Sequence, residues 1–256
     1  MNKYNWRFKR AVNLTIYRLR HYKKIVRLIV YVISFTRNAG FLVNRRCDNK
    51  IRKAISEKNK FIYLGNPKVA TRSILSFLES QQYSDLVVTE KTVEQLRNSI
   101  IEYDDYFSFT FVRNPWARAY SCWKDKITTQ TKFCDIFILT KYRGLYPDMP
   151  FEEFVKWLAS ENGSDDFADR HWLSQYELLK NEQGKISIDF IGKSEQIAED
   201  FKTLLQHLKI DESLKLSNSN ATAEKRDQYK TAYTPYLKKM IYERYKKDIE
   251  VFGYDF

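Results

Sequence analysis

The chain has 256 residues, 43% of them hydrophobic, enough for one large domain with a full core and an appendage. Its net charge of +12 is unevenly placed: residues 1–60 hold 17 Lys/Arg against two Asp/Glu, whereas residues 61–256 hold 27 against 30. The basicity belongs to an N-terminal arm, which removes the main support for a fold that binds nucleic acid.

Within the arm, residues 1–55, Leu14–Phe35 reads as a basic amphipathic helix. Two roles stay open for it: packing on the main domain with a solvated basic face, or contact with an anionic membrane surface or polymer through Arg18, Arg20, Lys23, Lys24 and Arg27. Its longest uncharged run, Leu28–Thr36, has nine residues. A membrane-spanning helix needs roughly 20. A signal peptide is also a poor match, because the apolar stretch starts late and no small-residue cleavage site follows it cleanly.

The main domain is expected over residues 56–256. Phe61–Leu64 is a short apolar run ended by Gly65-Asn66-Pro67, and a helix is predicted from about Thr71 through Ile74, Leu75, Phe77 and Leu78. Strand, loop and helix then recur. Phe107, Phe109 and Phe111 alternate with Ser108 and Thr110, and Asn114 caps a helix that starts at Pro115 and runs through Ala117 to Lys126. Residues 128–150, with Gly144, Pro147 and Pro150, read as a long loop suited to a lid. Further expectations are a helix at Phe151–Leu158, a strand at Ile186–Ile191, an amphipathic helix at Glu195–Leu208 and a final helix at Tyr236–Phe252. Strands alternating with helices predict a three-layer α/β/α fold with a central parallel sheet. Aromatics reach 16%, a surplus that serves core packing or a groove on which sugar rings stack. Cys47, Cys122 and Cys134 are an odd number without metal-ligand spacing, as expected of free thiols in a reducing compartment.

Two segments carry chemistry. Lys68, Val69, Ala70, Thr71, Arg72 and Ser73 lie where a strand meets a helix N-terminus. Backbone N–H groups and the helix dipole suit an anion there, Lys68 adds a cation, and Thr71 and Ser73 add hydroxyls. An ordinary turn with a surface lysine has the same pattern. This loop does not fit a Walker motif: it holds no Gly-Lys-Ser/Thr and no spaced pair of glycines. The second segment is Phe111–Ser121. Arg113 closes a strand at the carboxyl edge of the expected sheet, where its planar fork can grip a phosphate, and Ser121 follows eight residues later.

Together these segments resemble the sulfotransferase superfamily, a P-loop-like fold. Pro67–Ile74 is similar to its 5′-phosphosulfate loop and Phe111–Ser121 to its 3′-phosphate segment. The wording is nearest the carbohydrate sulfotransferases, the group with the chondroitin and HNK-1 enzymes. His171-Trp172 with Gln175, Asp189–Glu195 and Phe252-Gly253-Tyr254 extend the likeness over residues 60–256. The resemblance implies transfer of a sulfuryl group from 3′-phosphoadenosine-5′-phosphosulfate (PAPS) to a hydroxyl of a carbohydrate or glycolipid, with 3′-phosphoadenosine-5′-phosphate (PAP) as product. In that reading Lys68 neutralises the leaving phosphate, the 68–73 loop binds the 5′ side, and Arg113 and Ser121 bind the 3′-phosphate. Lys193 and Lys225 are secondary donor-site candidates. No metal is required, because cationic side chains stabilise the charge.

Arg72 departs from the small residue usual in relatives. Lumenal relatives carry cysteines after the His-Trp segment where this chain has Leu178-Leu179-Lys180, which points to a cytoplasmic, bacterial-type enzyme, peripheral on the inner membrane face if the arm binds lipid, rather than a Golgi-lumenal one. An acceptor hydroxyl also needs a base. Of the three histidines, His21 lies in the arm and His207 in a surface helix, leaving His171, either as base or as a hydrogen-bonded structural residue. The competing functions are a nucleotide-dependent kinase, which lacks its glycines and magnesium ligands here, and a non-catalytic protein that binds anionic surfaces.

Overall fold

A computed structural model of the chain describes residues 50–81, 83–128, 142–216 and 227–256, with Ile25 and Leu28. Apart from Ile25 and Leu28, the expected arm helix with its basic residues lies outside the described residues, as do Lys225 and residues 129–141 of the expected loop. Among the described residues no helix is long and apolar enough to cross a membrane. The chain divides into two compact units, residues 44–123 with 151–256, and residues 1–43 with 124–150. In the second, Asp148 donates its N–H to the Ile127 carbonyl at 2.6 Å.

The first unit is built on five strands: β1 (Ile51–Ser56), β2 (Phe61–Leu64), β3 (Val87–Lys91), β4 (Phe107–Val112) and β5 (Phe190–Lys193), in the order β3-β1-β2-β4-β5. As expected, β2, β4 and β5 run parallel. β1 and β3 extend that core, and β1, antiparallel to both β2 and β3, makes the sheet mixed. The connection from β1 to β2 is only residues 57–60, closed by Lys60 at φ 49°, and a link this short suits antiparallel pairing. Ile51–Ile55 reads in the sequence as part of the arm because Arg52 and Lys53 break its apolar run, yet it belongs to β1, which pairs through Lys53–Ser56 with Phe61–Leu64 and through Ile51–Ile55 with Val87–Lys91.

All four residues of β2 are buried, so both faces of the sheet are covered. On one face Tyr63, Phe109 and Phe111 share a core with Ile74, Leu75 and Leu78 of α1 (Thr71–Ser80) and Phe201, Leu204 and Leu205 of a later helix, Ile197–Leu208. On the other, Lys53, opposite Leu64, donates to Ser99 of α2 (Val93–Glu102) at 3.1 Å. Close approach sets one residue: a Cβ on Gly192 would lie 2.4 Å from the Phe111 ring that pairs beside it.

The helix after β4 is α3 (Pro115–Cys122), followed by a π-helical turn at Trp123–Ile127. Asn114 caps it as expected, its Oδ1 accepting from Trp116 and Ala117 N–H. Next come α4 (Phe151–Leu158) and the short α5 (Gln175–Leu179). The strand expected at Ile186–Ile191 forms later, at Phe190–Lys193, because the Asp189 side chain takes the N–H and hydroxyl of Ser108 at 2.8 and 2.7 Å. Ile197–Leu208 is α6, preceded by a 3-10 turn at Ser194–Gln196. The expected last helix is broken into α7 (Pro235–Arg244) and α8 (Lys246–Phe252). Tyr245 leaves helical geometry at the break, and its buried hydroxyl donates to the Trp172 carbonyl at 2.8 Å.

Candidate active site

Parallel β2 and β4 are neighbours, so the loops that leave their carboxyl ends lie side by side, the place where open α/β sheets take ligands. The first loop, residues 65–70, is pinned at its base by the Gly65 N–H on the Arg52 carbonyl at 2.8 Å. A Cβ at Gly65 would stand 2.5 Å from that oxygen, so only glycine fits. Beyond it Lys68 and Ala70 adopt left-handed backbone, φ 73° and 65°. For residues with a Cβ this costs of order 1–3 kcal/mol each and is characteristic of binding loops. Ala70 is the N-cap of α1, no side chain caps the helix, and its first turn holds no acidic residue. A helix start of this kind favours an anion.

The six expected loop residues divide by burial. Val69 is fully buried and packs in the core, so only its backbone is offered to a ligand. The Thr71 hydroxyl donates back to the Asn66 carbonyl and braces the loop. Lys68 and Ser73 are partly exposed, and Ala70 and Arg72 are exposed.

The second loop begins at Arg113, whose Nη1 donates to the Lys68 carbonyl at 3.2 Å. This bond joins the two segments singled out in the sequence. Burial pulls the guanidinium down from its ordinary value, with Glu195 the main charge opposing that shift. Among the described residues Arg113 forms no salt bridge, so a desolvated cation stands beside the anion-favouring loop. Ser121 is partly buried in the last turn of α3, about two helical turns from Arg113.

Two residues not singled out as binding candidates tie these loops together. Arg118, 2% exposed, donates from Nε to the Pro67 carbonyl (3.3 Å), from Nη1 to that of Leu173 (2.8 Å) and from Nη2 to that of Arg170 (3.4 Å). One guanidinium thus holds the residue before Lys68 and the residue before His171. Gln175, fully buried, accepts from Asn66 Nδ2 and from the Arg113 N–H, both at 2.9 Å, and donates to the Arg113 carbonyl at 2.8 Å. Asp248 of α8 anchors it from behind, taking the N–H groups of Gln175 and Tyr176 at 2.9 and 2.7 Å. Burial pushes the Asp248 carboxyl up from its ordinary value. His171 is partly exposed, with Nδ1 2.5 Å from Asp169 Oδ1.

The C-terminal strap closes the far side. Glu195 accepts from the Asn114 N–H at 2.9 Å and from the Tyr254 hydroxyl at 3.3 Å. Lys193 Nζ donates to the Gly253 carbonyl at 3.3 Å and sits 4.8 Å over the Tyr254 ring, so this candidate braces the strap. Arg118 and Asp169 were visible only as a charge inside a helix and as Asp-x-His spacing; neither pattern is specific without the fold.

The sulfotransferase family profile matches residues 50–255. The chain belongs to that family. Among curated relatives, carbohydrate sulfotransferase 14 of Danio rerio is 24% identical over 231 residues, covering 78% of this chain and 61% of the relative. Carbohydrate sulfotransferase 12 of Xenopus laevis is 29% identical over 176 residues, 60% and 41% of the two chains. Carbohydrate sulfotransferase 11 of Mus musculus is 25% identical over 234 residues, 78% and 66%. The chain spans less than two thirds of the length of each of these relatives. No solved structure matches it significantly. As a sulfotransferase-family chain, it carries the anion-suited features described above within the matched span.

Proposed function

We propose that this chain transfers a sulfuryl group from PAPS to a hydroxyl of a carbohydrate. The observation that carries the reading is the Arg113–Lys68 carbonyl bond, which sets a desolvated guanidinium against an uncapped helix start at one sheet edge. The donor has two separated anionic ends, and these two cationic features match that need. Family membership supports sulfuryl transfer, and the carbohydrate sulfotransferase relatives support the acceptor class.

In the reaction, the acceptor oxygen forms a bond to sulfur while the bond from sulfur to the bridging phosphate oxygen breaks. Lys68 neutralises the charge that grows on that phosphate, assisted by the N–H groups at the start of α1. Arg113, with Ser121, holds the 3′-phosphate and so separates this donor from ATP. His171 takes the hydroxyl proton at Nε2. Arg118 and Gln175 hold the loops so that these groups share one geometry.

The test is thermal stabilisation by PAP against stabilisation by ADP at equal concentration. Ligand linkage raises the melting temperature for whichever nucleotide binds the native state. A rise with PAP and none with ADP is expected; a rise with ADP alone overturns the reading.

A further inference from the structure

We infer that Asp169 is a positioning residue for His171, forming an Asp–His pair that aims Nε2 at the acceptor hydroxyl. The inference rests on the reading of His171 as the base. Asp169 Oδ1 accepts from two groups of His171, the backbone N–H at 2.9 Å and the ring Nδ1 at 2.5 Å. One oxygen therefore ties the imidazole to its own backbone and restricts the rotation of the side chain. A carboxylate oxygen only accepts, so the ring nitrogen facing it carries the proton. The other nitrogen, Nε2, is left with its lone pair, the form a general base requires.

The carboxylate is charged where it stands. Burial acts against ionisation of Asp169, but the His171 ring and N–H outweigh it, with Arg170 adding a smaller favourable charge, and the carboxyl is held below its usual range. The turn that carries the pair is braced at both ends. The Asp169 carbonyl accepts from Trp172 and Leu173 N–H at 3.0 and 2.8 Å, and Arg118 grips the Arg170 and Leu173 carbonyls. Because Arg118 also binds the Pro67 carbonyl, the Asp–His turn and the Lys68 loop are fastened to one side chain.

The proton balance is complete within the pair. The acceptor O–H loses its proton to Nε2, Nδ1–H stays bonded to Asp169, and the resulting imidazolium faces an anion. The proton then leaves Nε2 for solvent once product departs. Asp169 itself stays ionised throughout.

Two readouts test this. Only three histidines exist, so nitrogen-15 imidazole spectra of the full chain resolve the tautomer of His171 once His171→Ala identifies its signal. Protonated Nδ1 with bare Nε2 in the neutral ring is expected for the unaltered protein; the opposite tautomer overturns the inference even if no Asp169 variant folds. For activity, labelled PAPS and the best acceptor from a panel of unsulfated glycans are used. Asp169→Asn should lower kcat about 10–100-fold with the donor KM within about twofold. Asp169→Glu should recover part of the loss, and Asp169→Asn with His171→Ala should be no slower than His171→Ala alone. An inactive His171→Ala beside a fully active Asp169→Asn refutes the pairing and leaves the base in place. A fully active His171→Ala refutes the base and the pairing together.

Discussion

The Gln175 carboxamide pairs with the backbone of Arg113 through two bonds, accepting its N–H at 2.9 Å and donating to its carbonyl at 2.8 Å. A side chain thus continues the strand ladder past the end of β4. The same oxygen accepts from Asn66, whose Nδ2 also donates to the Phe111 carbonyl at 3.1 Å. The two donor loops are therefore coupled through one buried amide.

Gln175→Ala removes all of these partners and leaves buried donors unpaired. An unsatisfied buried group costs about 1–3 kcal/mol. The variant should lose about 2–4 kcal/mol in urea unfolding on that basis and bind PAP more weakly, since Arg113 is released. Equal stability and equal PAP affinity would show that Gln175 does not couple the loops.

Arg113 tests donor selectivity. Arg113→Ala should weaken PAP by about 2–5 kcal/mol, the usual loss for a buried charge-assisted contact. Binding of AMP, which lacks the 3′-phosphate, should change little. Calorimetric titration of both nucleotides decides it, and parallel losses would contradict the assignment.

Gly192→Ala probes the packing beneath the site. Its Cβ would stand 2.4 Å from the Phe111 ring, so β4 and β5 must separate or the ring must turn. Overpacking of this kind costs about 1–3 kcal/mol. Thermal melting should drop, whereas Ser76→Ala on the exposed face of α1 should leave it unchanged. A Gly192→Ala melt equal to that of the parent would mean the strands are not held at this spacing.

Asp165 gives a pH dependence with a definite sign. Burial acts against its ionisation, but Arg244 at 2.6 Å and the Ser174 donors outweigh it and hold the carboxyl below its ordinary range. A carboxyl lowered by folding stabilises the protein above its unfolded pKa, about 4, and that contribution fades as pH falls towards the folded value. The stability gap between the parent and Asp165→Asn should therefore be largest near neutrality and shrink below about pH 4. Urea unfolding at several pH values measures it; a constant gap would refute the linkage.

Much of the donor edge was legible in the sequence because its signals are local. Phe61–Leu64 announces itself by an apolar run, Phe107–Val112 by alternation of Phe with Ser and Thr, Asn114-Pro115 by capping chemistry, and Lys68 and Arg113 by their place after strands. Strand β1 was hidden because Arg52 and Lys53 interrupt its pattern, although Lys53 is buried against Ser99. The roles of Arg118 and Gln175 were hidden for another reason. Their partners are between 51 and 109 residues away in the chain, and no local pattern encodes such bonds. The break at Tyr245 escaped notice because the helical period continues across it; the anchoring of Tyr245 on Trp172 is tertiary.

The most direct measurement is transfer of radiolabelled sulfate from PAPS to a panel of unsulfated glycans, run with the parent chain and with Lys68→Ala. Label on at least one glycan is expected with the parent, with PAP released in equal amount and a fall of about 10²-fold or more with Lys68→Ala, the scale of losing one charge-stabilising group. Label transferred equally well without Lys68, or no glycan labelled while the chain consumes ATP, would contradict that expectation.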